Sequence, residues 1–204
     1  MRSAALGRMV ANFLGFQITW FACVGGAGYG VPALGLVAAA LLLPLHLATL
    51  GGDRRGAAGR AGDRGVELRL LAAAAITGYV FDGALALAGV IAFPAHAGLA
   101  VPTTPWMVAL WAAFAATLRH SLDWARRRYV LGGVAGAVFG PLAYVAGEAL
   151  GAIALAPPPL GWLVVAAEWA LAMPLLLWLR ERLEGAAPGG AGGRDAQIPA
   201  GGGR

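Results

Sequence analysis

The sequence predicts an all-α protein, a polytopic membrane bundle of six transmembrane helices with both termini in the cytoplasm. Three observations carry that prediction. The mean hydropathy is +0.71, and 59% of the 204 residues are hydrophobic against 12% charged. A soluble globular domain is about 45–50% apolar and about 25% charged. Six apolar runs reach or approach the roughly 20 residues that a helix needs to cross a bilayer. All 15 basic residues are arginines, and 14 of them fall into alternate loops.

The first run spans Val10 to Tyr29, behind Arg2 and Arg8. It is longer than a signal-peptide core and no clean cleavage site follows, so it reads as an uncleaved first helix. Gly25, Gly26, Gly28 and Gly30 make a short turn, and Pro32 opens the second run, which ends near Leu50. A missing N–H is tolerated at that first helical position. Residues 51–69 read as a polar loop, and the third run covers Leu70 to Ala92. A charge-free loop with Pro94, His96, Pro102 and Pro105 leads to a fourth run from Trp106 to Trp124, stopped by Arg126, Arg127 and Arg128. The fifth run, Val130 to Leu155, is long enough to imply tilt. Pro157, Pro158 and Pro159 turn the chain into a sixth run from Trp162 to Leu179. Residues 1–184 form the membrane domain, and 185–204 a Gly-rich tail expected to be disordered and cytoplasmic.

Arginines precede run one, separate runs two and three, and follow runs four and six. The three other loops carry none, and Arg119 lies inside run four. The positive-inside rule then places both termini in the cytoplasm. The composition excludes a disordered chain, and short alternating segments of a β-barrel are absent. The net charge of +5 reads as a topology signal rather than a nucleic-acid-binding face. A single cysteine, Cys23, permits no intrachain disulfide. Gly132, Gly136 and Gly140, extended by Ala143, Gly147 and Gly151, form a small-residue stripe on run five that lets helix backbones approach closely.

Ionisable residues inside a membrane are costly, so they mark functional candidates. Asn12, His46, Arg119, His120 and Asp123 fall near the cytoplasmic ends of their runs, with Gln17 somewhat deeper. Asp82 falls near the middle of run three. Glu148 and Glu168 fall in the outer half, symmetric about Pro158. His120 and Asp123, three apart, would share a helix face, letting the carboxylate orient the imidazole. Arg119 could bind a lipid phosphate or pair with Asp82 or Asp123. His46 and His120, at similar depth, could flank a haem, or be unrelated interfacial residues. The expectation is no metal and no cofactor. Glu148 and Glu168, were they to face each other, could not both ionise, as a proton-coupled carrier would require. Zinc-protease, phosphate-loop and nucleophile-elbow motifs are absent.

Asn12-Phe13 with Phe16-Gln17 and Trp20-Phe21, the Asp82 helix, the segment Trp111 to Trp124 before an arginine run, and Gly140 to Tyr144 with Gly147 recur as an ordered set. The set resembles the bacterial membrane family catalogued as domain of unknown function 2878, over residues 9–184. Gly83 stands where the resemblance would place a serine. The resemblance implies an inner-membrane protein without an established activity, whose relatives are expected near enzymes that modify membrane fatty acids. It transfers no catalytic residue.

The functional expectation is an integral protein of the bacterial inner membrane that assists or performs membrane-lipid modification or handling. Its partners would be membrane lipids and a lipid-modifying enzyme, and not nucleic acid. His120 and Asp123 are the catalytic candidates. Arg119, His46, Asn12, Gln17 and Asp82 are the lipid-binding candidates. The alternative is a small proton-coupled carrier, or the membrane substrate-binding subunit of a transporter, coupled through Glu148 and Glu168.

Overall fold

A computed structural model describes residues 2–49 and 56–186, with side chains over 6–49 and 63–186. Six helices follow the six apolar runs: α1 (Arg2–Gly28), α2 (Ala33–Thr49), α3 (Gly56–Leu87), α4 (Pro105–Leu118), α5 (Tyr129–Ala149) and α6 (Leu160–Gly185). Four stretches are long and apolar enough to cross a membrane: Leu6–Gly28, Asp63–Leu87, Tyr129–Ala149 and Leu160–Gly185. The chain therefore has the build of a multi-pass helical membrane protein. Helix α2, with 17 residues, and α4, with 14, are shorter. At 1.5 Å per residue α4 rises only about 21 Å. The tail expected beyond residue 185 lies, from residue 187 on, outside the described residues.

The helix ends depart from the hydropathy boundaries, each for a physical reason. Most of the expected polar loop 51–69 is helical, because α3 begins at Gly56. The segment contains no proline, and its acids Asp63 and Glu67, four apart on one helix face, find an arginine inside the protein. Arg64 donates from Nε to the Leu47 carbonyl at 3.1 Å and from Nη2 to Ala48 at 3.3 Å. It thereby satisfies carbonyls that the C-terminus of α2 leaves open. Helix α4 stops at Leu118, six residues before the expected Trp124, and its last carbonyl accepts from Arg180 Nη1 at 2.6 Å. Residues 119–128 then form turns, with a single 3₁₀ turn at Asp123–Ala125 and Arg127 at φ 58°.

Helix α5 ends at Ala149, not Leu155, so at 21 residues it lacks the extra length that implied tilt. Gly151, at φ 77°, reverses the chain. Residues Ala154–Leu155 (β2) then pair antiparallel with Ile91–Ala92 (β1), a two-residue ladder absent from the sequence reading. This ladder closes the arginine-poor end of the bundle. Trp106 Nε1 donates to the Ala97 carbonyl at 2.8 Å there.

Helix α4 sits centrally, packed against α1, α2, α3 and α6. The glycine stripe of α5 is spent inside the chain, against α6. A Cβ at Gly136 would stand 2.3 Å from the Trp169 carbonyl oxygen, and one at Gly140 would stand 2.4 Å from the Trp169 ring. Helices α1 and α5 touch little: Gly147 approaches Val24, and Gly28 meets Leu150 just beyond the end of α5. A cleft is therefore left between them, floored by α4 and α6.

Candidate functional site

The polar residues gather into two centres, at opposite ends of α3. The first lies at the arginine-rich end. Glu67 is fully buried and bridges two helices: its Oε1 is 2.9 Å from His46 Nε2 on α2, and its Oε2 accepts from Arg119 Nη1 at 2.8 Å. Arg119 also reaches Asp63 Oδ1 at 3.4 Å and Glu184 Oε1 at 3.0 Å. Burial works against the Arg119 charge, but Glu67 and Glu184 more than offset it and hold the guanidinium protonated. Glu184 further accepts from Arg180 Nε at 3.1 Å and pairs with Arg126 at 3.2 Å. Arg180 completes its fork on Asp123.

The expected pairings change accordingly. Arg119 meets neither Asp82 nor Asp123. Asp82 lies 15 residues beyond Glu67 on α3, about 22 Å away along the helix axis. Asp123 does not orient His120, because the two stand in turns rather than on one helix face, and its carboxylate binds Arg180. The His120 ring lies edge to face with His46, centroids 5.1 Å apart. Rings in such contact leave no slot for a porphyrin between them. One donor atom from each of His46, Glu67 and His120 lies within 4.8 Å of the others, close enough to converge on one ion.

Asn12 is buried and braces this end. It donates from Nδ2 to the Ala116 carbonyl at 2.9 Å. Its Oδ1 accepts from Ser121 N at 3.2 Å and Ser121 Oγ at 2.8 Å. The side chain thus ties α1 to the segment after α4. Asn12→Ala is expected to cost about 1–3 kcal/mol by stranding the buried Ala116 carbonyl and the part-buried Ser121 donors, read as a lower thermal midpoint in detergent.

The second centre is Asp82, fully buried on α3 and nearer the arginine-poor end than a helix over 70–92 implies. Trp111 Nε1 donates to its Oδ2 at 2.6 Å, and the Tyr144 hydroxyl to its Oδ1. Trp111 stacks on Trp169, centroids 4.7 Å apart and planes 15° from parallel. Gly78, one turn before Asp82, makes room for the Trp111 ring: a Cβ there would lie 2.0 Å from Cγ. Glu168 is buried on α6, within electrostatic range of Asp82, and among the described residues neither carboxyl oxygen has a hydrogen-bond partner. Glu148 does not face it. Glu148 is exposed, and its Oε1 accepts from the Leu155 amide at 2.9 Å.

Between the two centres runs a groove of about 820 Å³, walled by α1 and α5 and floored by α4 and α6. Phe16, Gln17, Trp20, Trp111, Phe114, Tyr144 and Trp169 line it, and Phe13, Phe21, Trp124 and Phe139 form an exposed rim. Ser121 marks its arginine-rich end and Ile153 its other end.

A family model described as a protein of unknown function, DUF2878, matches residues 9–175. The chain belongs to that family. No curated protein and no solved structure matches it. In this DUF2878 member the matched stretch includes both walls and nearly the whole floor of the groove, together with Asp82, His46, Glu67 and Arg119. It stops before Arg180 and Glu184.

Of the residues expected from sequence, the fold unites His46, Arg119 and His120 in the first centre, with Asn12 and Asp123 at its edge. Gln17 joins the groove, Asp82 and Glu168 the second centre, and Glu148 neither. Glu67, Asp63, Arg180 and Glu184 were missed because they fell in a presumed loop or beyond a presumed helix end. Their spacing was the available signal: Asp63 and Glu67, like Arg180 and Glu184, stand four apart and so share a helical face.

Proposed function

We propose that this protein handles membrane lipids, seating a hydrocarbon chain in the groove between α1 and α5. Six membrane crossings with the arginine-rich end at the cytoplasmic face of a bacterial inner membrane fit this reading. The observation that carries it is the groove itself. Its volume of about 820 Å³ suits a ligand of lipid-chain size, since small-molecule pockets run about 300–1,000 Å³. The wall from Phe13 to Val24 spans about 16 Å of helix, the direction an acyl chain takes in a leaflet. At the arginine-rich end, Ser121 and the adjacent Arg126–Arg128 run would meet a polar headgroup. His120 is the acid–base group if the bound lipid is modified rather than carried.

The test is native mass spectrometry of the protein released from mild detergent. Wild-type protein should retain a lipid adduct that survives activation. Ala143→Trp, which fills the groove from α5, should lose the adduct and keep its helical circular dichroism. Equal retention by both proteins would place the lipid elsewhere and remove the groove from the account.

One observation favours the carrier reading, namely the buried carboxyl of Glu168, which has no hydrogen-bond partner among the described residues. A carrier coupled to protons would load and unload that group. Glu168→Gln would then abolish proton-dependent uptake into vesicles. Under the lipid reading the same substitution leaves lipid retention intact.

A further inference from the structure

We infer that His46, Glu67 and His120 form a binding site for one divalent transition-metal ion. The three donors lie outside the groove lining, so the site does not depend on a lipid in the groove, and an ion there would take up the His120 imidazole that would otherwise serve acid–base work. Two imidazoles and a carboxylate are the donor set that proteins use for zinc and for non-haem iron(II), leaving coordination positions open. Here the three donors come from α2, from α3 and from the turn after α4, and their ligand atoms lie within 4.8 Å of one another. Ligand atoms bound at about 2.0–2.2 Å around one tetrahedral ion stand somewhat over 3 Å apart. His46 Nε2 and Glu67 Oε1 are already 2.9 Å apart. An ion would replace the proton shared between them.

The surroundings suit a cation. Arg119 holds Glu67 by Oε2 alone, which fixes the carboxylate and leaves Oε1 to face the imidazoles. Metal-ligating carboxylates are commonly oriented by such an outer hydrogen bond. The linked ion-pair network among the described residues contains the carboxylates Asp63, Glu67, Asp123 and Glu184. It contains only three guanidinium groups, on Arg119, Arg126 and Arg180. With both imidazoles neutral, this set carries one more negative than positive charge among the described residues. The side chains of His46 and Glu67 are 8% and 0% exposed, so bulk water does little to screen the Glu67 carboxylate. A second cavity of about 310 Å³ between α1 and α2 reaches His46, lined also by Asn12 and Thr49. It gives room for a further ligand such as water.

The probe is cobalt(II), whose visible absorption reports its coordination. The full chain is purified without a histidine tag, stripped with chelator and titrated in detergent. Expected are saturation at one cobalt per chain, displacement by zinc, and a higher thermal midpoint when loaded, because the ion clips three elements together. His46→Ala and His120→Ala should each weaken binding by at least about tenfold while circular dichroism stays helical. Should either fail to fold, the wild-type titration still decides. Wild-type protein that shows no saturable cobalt spectrum and no thermal shift overturns the site. Saturable binding that both substitutions leave unchanged overturns it as well.

Discussion

Gly78→Ala is expected to lower the thermal midpoint steeply, although it adds a single methyl group. The new Cβ would sit 2.0 Å from Cγ of Trp111 and 2.2 Å from Cδ1, ring atoms that cannot yield without moving the whole indole. Trp111 is 1% exposed and held on both sides, by its hydrogen bond to Asp82 and its stack on Trp169. Overpacking a filled interior costs about 1–3 kcal/mol. Pulling the indole N–H away from a buried carboxylate adds about 1.5–3 kcal/mol. A loss of about 3–5 kcal/mol is therefore expected, measured by thermal or denaturant unfolding in one detergent. Gly25→Ala is the matched control. A Cβ there meets nothing within 4 Å, and alanine favours helix by about 1 kcal/mol over glycine. Similar midpoints for the two variants would show that Trp111 does not fill the notch at Gly78.

Arg180→Ala is expected to be nearly as damaging, for an electrostatic reason. The guanidinium is 3% exposed. It serves the Leu118 carbonyl, the Asp123 carboxylate and Glu184 at once. Removing it leaves the Leu118 carbonyl without its side-chain donor, while Glu184 keeps Arg119 and Arg126. Losing a charged hydrogen bond to a buried carbonyl costs about 1.5–3 kcal/mol, and the weakened contact to Glu184 adds to it. Arg180→Lys should recover only part of this, because a single ammonium cannot span three acceptors set around a planar fork. Asp123→Ala should be mild, under about 1 kcal/mol, since the Asp123 side chain is 57% exposed and pairs in solvent are weak. The ranking Arg180→Ala, then Arg180→Lys, then Asp123→Ala, read from unfolding midpoints, checks the arrangement.

Both substitutions act on contacts that hydropathy does not reveal, and that explains what was legible in the sequence. The six helices were visible because apolar runs of that length have few other fates. Their ends were not. Hydropathy assigns charged residues to solvent, whereas α3 carries Asp63 and Glu67 into the protein because Arg119 and His46 receive them. Helix α4 likewise stops early because Arg180, from α6, takes its last carbonyl. Asp82, His46 and Arg119 stood out as ionisable groups in apolar runs; Asp82 and Arg119 are each the centre of a network, and His46 joins one through Glu67. Their partners did not stand out. Glu67 fell in a presumed loop and Glu184 beyond the presumed end of run six, and nothing in the sequence ties Trp111 and Tyr144, members of the recurring motif set, to Asp82. The facing of Glu148 and Glu168 was open for a related reason. Sequence sets their distance from Pro158 but not their rotation about the helix axis, and the Leu155 amide holds Glu148 at the surface. The groove follows from the sparse contact between α1 and α5, which no local pattern encodes.

The lipid-chain reading rests on the groove being occupied in a membrane, and photo-crosslinking tests that most directly. The protein is placed in nanodiscs containing a phospholipid with a diazirine in its acyl chain, irradiated, and mapped by peptide mass spectrometry. The expected adducts fall on the groove floor, at Trp111, Phe114 and Trp169, and disappear in Ala143→Trp. Adducts confined to the outward faces, at residues such as Leu41 and Ile76, with the floor unlabelled, would contradict the reading.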